Sequence, residues 1–283
     1  MTISATTRVA GVIGDPVRHS LSPVLHNTAY RELGLDWVYV AFEVPDGQTA
    51  AALAAMRALG LAGLSVTMPH KTAAADCCDE LSPDAAALRS VNTVSVDAGG
   101  RLVGDSTDGE GFLRSLRDAG HDCAGASVLL LGAGGAARAV ARALGRSGAR
   151  VVVSARRPDA AAVAAALASG SSVPWAERSA VATEATLVVN ATSLGLAGGA
   201  GAGELAVPLE ALHARQVLAD LVYHPLATPL LAGARTRGVE VVDGLGMLVH
   251  QAALQIEAWT GQIAPVATMR AAAEQALNDT SPG

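Results

Sequence analysis

The stretch SVLLLGAGGAARAVARALGRSGARVVVSARR, residues 127–157, decides how this chain is read. A short apolar run, Val128–Leu131, enters Gly132-Ala133-Gly134-Gly135-Ala136-Ala137. An alanine-rich segment of helical spacing then leads to a second β-branched run at Arg150–Ser154. In such a strand–turn–helix unit Gly132 permits the tight turn and Gly134 lets the backbone approach a pyrophosphate. Ala137 takes the small-residue position where helix and strand pack closely. The helix start then offers unpaired N–H groups to phosphates. A lone GxGxxA is weak evidence, but here the flanking strands and helix supply the context that the motif requires. At the end of the second strand, about 20 residues on, an NAD enzyme places Asp or Glu on the ribose hydroxyls. This chain has Ser154-Ala155-Arg156-Arg157 there, with no carboxylate. A guanidinium fork pairs with phosphate and stacks on adenine, so the residues predict NADP rather than NAD. The alternative is two solvated surface arginines.

Working outward, further short β-branched runs occur at Arg8–Ile13, Trp37–Phe42, Gly63–Thr67, Thr93–Val96, Thr186–Asn190, Gln216–Asp220 and Val239–Asp243. Between them lie helical stretches such as Thr49–Leu59, Ala136–Ser147 and Ala160–Ala168. This alternation predicts an α/β protein with parallel sheets and crossover helices. Asp46, Ser82 and Pro208 mark helix starts, and from Met247 onward the chain reads as helix only. The loop Gly195–Gly203 (GLAGGAGAG) is too glycine-rich to hold one shape by itself and reads as a mobile surface loop. Only the tail NDTSPG is disordered by composition.

At 283 residues the chain has room for roughly two domains at ~150 residues each, and it is 51% hydrophobic with 16% charged residues. Its net charge of −6, with no Lys/Arg cluster, argues against nucleic acid or an anionic membrane as the main partner. The most apolar segments, such as AALAAMRALGLAGLSV (51–66), are broken by Arg57 and glycines and fall short of the ~20 apolar residues of a membrane span. The start MTISATTRVAG has no signal-peptide pattern. Cys77, Cys78 and Cys123 form no CxxC pair, which fits a reduced, cytoplasmic enzyme without a metal site better than a disulfide scaffold.

The first half carries polar strings at loop positions. In GDPVRHSLSPVLHN (Gly14–Asn27), Ser20 and Ser22 flank a helix start at Pro23, where hydroxyls either donate to a small carboxylate or serve as N-caps. SVTMPHK (Ser65–Lys71) ends in a lysine beside a proline-constrained turn. SVNT (Ser90–Thr93) and GDSTDGEGF (Gly104–Phe112) carry Asn92 and Asp108. No spacing rule links Lys71 to Asp108. No HxxxH or HxH pair joins His19, His26, His70, His224 and His250, which read as structural.

In this order, and with NATSLGL (Asn190–Leu196), DLVYHPLATPLL (Asp220–Leu231) and GLGMLVHQAALQIEAWTG (Gly244–Gly261), these strings resemble the shikimate dehydrogenase family over nearly the whole chain. The resemblance implies two α/β domains. One is a substrate domain of residues 1–108 plus 247–283, to which the C-terminal helices return. The other is a Rossmann-like NADP domain of residues 109–246 with a parallel sheet. It implies reversible, NADPH-dependent reduction of 3-dehydroshikimate to shikimate in chorismate biosynthesis, by a monomer or homodimer acting on a small molecule. On the matching positions Lys71 and Asp108 would be catalytic, and Ser20 and Ser22 would hold the substrate carboxylate. Ser65, Thr67, Asn92, Tyr223 and Gln251 would bind ring hydroxyls or complete the pocket. Gly132, Ala133, Gly134, Gly135, Ala136, Arg156, Arg157, Thr192, Ser193, Leu221 and Gly244 would contact the cofactor. Two positions depart from the family: Ser65 and Ser106 stand where asparagine is common. Serine offers one hydroxyl in place of an amide, which keeps a quinate/shikimate or aminoshikimate dehydrogenase as an alternative. A non-catalytic nucleotide-binding relative is the further alternative, against which Lys71 and Asp108 argue.

Overall fold

The computed structural model describes residues 2–280; the last three residues of the NDTSPG tail lie outside the described residues. The chain divides into two compact units. One takes the chain up to Thr107 and from Gln251 onward, and the other runs from Asp108 to His250.

The first unit begins with β1 (Arg8–Gly14), α1 (Ser22–Glu32), β2 (Trp37–Glu43), α2 (Thr49–Leu59) and β3 (Gly63–Val66). It continues with α3 (Lys71–Cys77), β4 (Glu80–Leu81), α4 (Pro83–Leu88), β5 (Thr93–Val96) and β6 (Leu102–Asp105). The strands lie in the order β2-β1-β3-β5-β6-β4. β1 runs parallel to β2 and β3, whereas β5 is antiparallel to β3 and β6. β2 lies at one edge of this sheet, and the Asn27 carboxamide covers its backbone: Nδ2 donates to Tyr39 O at 2.8 Å, and Oδ1 accepts from Tyr39 N at 2.9 Å. Paired edge groups no longer invite another strand.

The second unit holds α5 (Asp108–Asp118), β7 (Ser127–Leu131), α6 (Gly135–Arg146), β8 (Arg150–Ala155), α7 (Pro158–Leu167) and β9 (Ser171–Pro174). After it come α8 (Arg178–Glu184), β10 (Leu187–Asn190), β11 (Val217–Asp220), α9 (Pro229–Thr236) and β12 (Glu240–Val242). Its six strands are all parallel in the order β12-β11-β10-β7-β8-β9. Both faces are buried, as parallel sheets require. Val128 and Leu130 of β7 enter one apolar cluster with Val140 and Leu144 of α6. Leu129 and Leu131 enter another with Ala182 of α8 and Leu231 of α9.

The helices α10 (Gly244–Thr260) and α11 (Val266–Thr280) close the chain. Among the described residues no helix is long and apolar enough to cross a membrane.

Several details differ from the sequence reading. The unit boundaries fall at 107/108 and 250/251 rather than at 108/109 and 246/247. The reason is packing: α5 buries Phe112, Leu113 and Leu116 in the second unit's core, which also takes Met247. β4, β6 and β9 carry no signal of their own. β9, at a sheet edge, is the short polar string SSVP with mostly exposed side chains. Ser82 does cap α4, its Oγ accepting from Ala85 N at 3.1 Å. Asp46 caps nothing, because α2 starts at Thr49 after Gln48, and Pro208 precedes only a 3₁₀ turn, Leu209–Ala211. The glycine-rich loop is closed by Gly195 N donating to Gly201 O and tied down by Ala197 N donating to His224 O, both at 2.9 Å.

Aromatic rings fill one layer of the first unit. The His26 ring stacks on Tyr39 at 3.9 Å between centroids and on Trp259 at 5.6 Å. Trp259 lies flat against β3: a Cβ on Gly63 would fall 2.3 Å from its ring. Fully buried, with Nδ1 on the Ser22 carbonyl at 2.9 Å, His26 is lowered by burial from 6.5 to about 4. In the unfolded chain it takes up a proton near pH 6.5, and in the folded chain only near pH 4, so between these values acid favours the unfolded state. His26 therefore contributes to stability above pH 6.5 and loses this contribution as the pH falls toward 4, a span worth about 3 kcal/mol. In urea unfolding between pH 7.5 and 4.5, His26→Gln is expected to show a flatter decline in stability than the parent. Parallel declines would remove His26 from the acid response.

Candidate active site

The sheet of the second unit reverses its winding between β7 and β10, and at such a switch point the carboxyl ends of the strands leave a crevice. Gly132 follows β7 there with φ +110°, and a Cβ on it would lie 2.7 Å from the Ala191 carbonyl oxygen after β10. Only glycine fits. A Cβ on Gly134 or Gly135 would meet nothing within 4 Å. Gly134 is the N-cap of α6 and provides no side-chain cap, so the first amides of this helix are suited to an anion.

A cavity of about 520 Å³ opens at this point, within the 300–1,000 Å³ usual for ligand sites. Gly132, Ala133, Gly134, Arg156, Arg157, Thr192 and Ser193 line it, as do Ala155, Ala160, Trp175, Ala191 and Leu194. Among these described residues the two arginines carry the only charges. Gly135 and Ala136 continue directly into α6. Leu221 and Gly244 are not among the lining residues. Gly244 instead allows a close approach, since a Cβ there would sit 2.4 Å from the Leu221 carbonyl oxygen. An open glycine turn, a helix start and two guanidiniums together fit a dinucleotide carrying an extra phosphate.

The loop after β10 is held from beneath by buried polar side chains. Asn190 Oδ1 accepts from Thr192 Oγ1 at 2.7 Å and from Thr192 N at 3.1 Å. Its Nδ2 donates to Asp220 Oδ1 at 2.8 Å. The other Asp220 oxygen accepts from Thr228 Oγ1 at 2.7 Å, and Thr228 in turn caps α9 through Leu231 N. Burial pushes the Asp220 carboxyl up, against the pull of these donors. Sequence reasoning did not single out this network, nor Trp175. The Trp175 ring lies under the Arg178 guanidinium at 4.2 Å from its centroid, and Arg178 donates to Trp175 O at 2.7 Å and Ala206 O at 2.8 Å. The available signal for Trp175 was its position just past the carboxyl end of a parallel strand. That strand, β9, was itself illegible.

Most of the expected substrate residues belong to the first unit. Ser22 opens α1, and Ser20 Oγ accepts its amide at 3.2 Å. Leu21 is the N-cap and gives no side-chain bond, so neither serine is the cap residue. Lys71 opens α3, half-buried, directly after His70. The buried His70 ring fixes that corner, with Nε2 on the Val44 carbonyl at 2.8 Å and Nδ1 on Thr49 Oγ1 at 2.9 Å. A carbonyl only accepts, so Nε2 carries a proton and donates it to Val44 O.

Asn92 is 3% exposed. It donates to Thr107 Oγ1 at 3.0 Å and accepts from Thr107 N at 2.9 Å and Thr93 Oγ1 at 2.8 Å. Thr67 packs its methyl group where Gly14 has no Cβ. Ser65 is buried: its oxygen accepts from Tyr39 Oη at 2.6 Å, and its proton goes to Gln255 Oε1 at 2.7 Å. Burial raises the Tyr39 hydroxyl despite its bonds to Ser65 and Ser22. Gln251 lies in the first-unit part of α10. Asp108 and Tyr223 belong to the second unit. Asp108 is buried at the first position of α5, where the helix dipole favours a carboxylate, and burial raises the Tyr223 hydroxyl. No group of three His, Cys, Asp or Glu among the described residues could hold a metal ion.

A parallel sheet of this strand order, with a glycine turn and an arginine-lined cavity at its carboxyl ends, defines a nucleotide-binding α/β module of the Rossmann class. It shares its chain with a second α/β unit rich in hydroxyl and amide side chains. Residues 12–94 match the family model of the shikimate dehydrogenase substrate-binding domain, and residues 244–274 that of the shikimate 5′-dehydrogenase C-terminal domain. The chain is 44% identical to the shikimate dehydrogenase (NADP(+)) of Moorella thermoacetica, over 99% of its own length and 97% of that protein's. Shikimate 5-dehydrogenase from Thermus thermophilus, solved with NADP(H) and shikimate, is 38% identical with a TM-score of 0.87, covering 95% of this chain and 99% of that one. A quinate dehydrogenase from Corynebacterium glutamicum, solved with NAD, is 31% identical with a TM-score of 0.89, covering 95% and 99%. The chain belongs to the shikimate dehydrogenase family.

The arginine pair yields a direct test. Replacing Arg156 and Arg157 together with glutamine is expected to weaken 2′,5′-ADP by about 10- to 150-fold in calorimetry, the range for hydrogen bonds to charged groups. Binding of 5′-AMP should stay within about threefold, because it lacks the phosphate the arginines would pair with. Equal losses for both ligands would show that the pair does not read the 2′-phosphate.

Proposed function

We propose that this chain is an NADP-dependent shikimate dehydrogenase that reversibly reduces 3-dehydroshikimate to shikimate in the biosynthesis of chorismate. One observation carries the choice of cofactor: in the nucleotide cavity the end of β8 offers Arg156 and Arg157 and no carboxylate. Full-length similarity to NADP(+)-dependent relatives supports the same reading. The glycine turn, the start of α6, Thr192, Ser193 and the two arginines hold the dinucleotide, which when bound supplies or takes up the hydride.

The residues of the chain then have distinct tasks. Ser20 and Ser22 donate to the ring carboxylate of the substrate. Ser65, Thr67, Asn92, Tyr223 and Gln251 bind ring hydroxyls or complete the pocket. Lys71 gives its Nζ proton to the ring oxygen as charge develops there, and takes it back in the reverse reaction. Asp108 accepts a hydrogen bond from a ring hydroxyl. A positioned acid of this kind contributes typically 10²–10⁴-fold, and a nearby ammonium also offsets the alkoxide charge. A pocket of hydroxyls and amides discriminates sharply, since an analogue lacking one hydroxyl leaves a buried partner unpaired. The protein works in the cytoplasm on this small molecule, as a monomer or homodimer and without a nucleic-acid or membrane partner. Its net charge of −6 and its three free cysteines support that setting.

Spectrophotometric assays of shikimate and quinate, each with NADP+ and NAD+, test the assignment. Shikimate with NADP+ is expected to give the highest kcat/KM, and a preference for quinate with NAD+ would overturn it. Lys71→Ala is expected to lower kcat by about 10²–10⁴-fold with little change in the KM for NADP+. Unchanged turnover would remove the lysine from the chemistry.

A further inference from the structure

One buried side chain in the first unit has no task in the scheme above, yet it touches several residues that do. Gln255 is 1% exposed on α10. Its Oε1 accepts the Ser65 proton at 2.7 Å. Its Nε2 lies 3.0 Å from Thr93 Oγ1, 3.1 Å from Gln251 Oε1 and 3.3 Å from the Asn92 carbonyl oxygen. That carbonyl can only accept, which fixes Nε2 as the nitrogen of the amide and Oε1 as its oxygen.

Two consequences follow for the residues on either side. Ser65 has given its single proton to Gln255 and already accepts from Tyr39 Oη, so toward any ligand it can act only as an acceptor. Gln251 has its oxygen engaged by Gln255, so its amide group faces other partners as a donor. Reversing the Gln255 amide would set its nitrogen against the Ser65 proton and its oxygen against the Asn92 carbonyl. The polarity of this wall is therefore set once, from α10.

We propose that Gln255 is the specificity-determining positioning residue of the substrate pocket: by bridging Ser65 and Gln251 it makes position 65 an acceptor and position 251 a donor. The pair Ser65–Gln255 acts as one carboxamide divided between a strand and a helix. The wall then selects a ring acid that presents a hydroxyl or amino hydrogen toward Ser65 and an oxygen toward Gln251. This proposal rests on the reading of Ser65 and Gln251 as substrate ligands.

The test is a double-mutant cycle of Gln255→Ala, Ser65→Asn and the two combined, with kcat, the KM for shikimate and the KM for NADP+ measured for each. Shikimate affinity is measured in parallel by calorimetry. Gln255→Ala leaves Ser65 and Gln251 unset, and Ser65→Asn brings a second amide into space that Gln255 fills. Each alone is expected to raise the KM and Kd for shikimate by about tenfold or more, the cost of leaving buried polar groups unpaired. The KM for NADP+ should stay within about twofold. The double variant places one amide in the space of one and is expected to return to within about threefold of the parent.

Single effects that multiply in the double variant would overturn the proposal, as would an equal rise in the KM for NADP+. Should Gln255→Ala not fold, Ser65→Ala cuts the same link and is expected to raise the KM for shikimate while sparing that for NADP+. A parent inactive on shikimate would refute the function proposed above. The cycle is then read on quinate or whichever ring acid the parent binds, where additivity still decides the fate of the pair.

Discussion

The backbone contact between Gly132 and the Ala191 carbonyl governs the second unit. Two parallel strands that part at a switch point must send their chains in opposite directions, and here the outgoing loops cross with no room for a side chain. A substituent at 132 would push the loop after β10 away and widen the cavity that the glycine turn, Arg156, Arg157 and Thr192 enclose. The contact is sustained from below: Asn190, Asp220 and Thr228 hold the same loop through hydrogen bonds of 2.7–2.8 Å. Asp220 resists ionisation because it is buried. The arrangement keeps polar groups satisfied where leaving one unpaired costs about 1–3 kcal/mol.

Under the function proposed above, the first unit solves a different problem. A site for a polyhydroxylated anion needs many polar groups in a place where water is scarce, and each must be satisfied with or without a ligand. The structure meets this need by spending most of them on one another. Asn92 is bonded to Thr93 and Thr107, Ser65 to Tyr39 and Gln255, and His70 to Val44 and Thr49. What remains for a ligand is a small set of donors and acceptors whose directions are already fixed. Such preorganisation lowers the cost of ordering the site on binding. His26 stacks on Tyr39 with Trp259 beside both rings. It fills space as an aromatic ring, and burial keeps it uncharged to about pH 4.

The sequence by itself determined the features written in local pattern. The glycine turn, β7, α6, β8 and the arginine pair lie within one continuous stretch, so spacing alone marked the nucleotide module and placed two arginines where an NAD enzyme has a carboxylate. The alternation of strands and helices was legible for the same reason, as was the capping of α4 by Ser82. Three short strands were not: β4 and β9 lie at sheet edges with mostly exposed or half-buried side chains, and β6, though alternately buried, is only the four residues LVGD, too short to show a period. The motif strings of the first half marked Ser20, Ser22, Lys71, Asn92 and Asp108 through family resemblance, because no spacing rule connects residues that far apart.

Tertiary structure decided what each of those side chains can still offer. Ser65 stands in sequence as a single hydroxyl where asparagine is common, and the fold engages its proton with Gln255, which lies 190 positions away in the chain. Trp175, which no sequence pattern singled out, lines the nucleotide cavity under the Arg178 guanidinium. The physical reason is common to both. A hydrogen bond or a stacked ring depends on contacts between residues remote in sequence, and a one-dimensional pattern records only neighbours within a helical turn or along a strand.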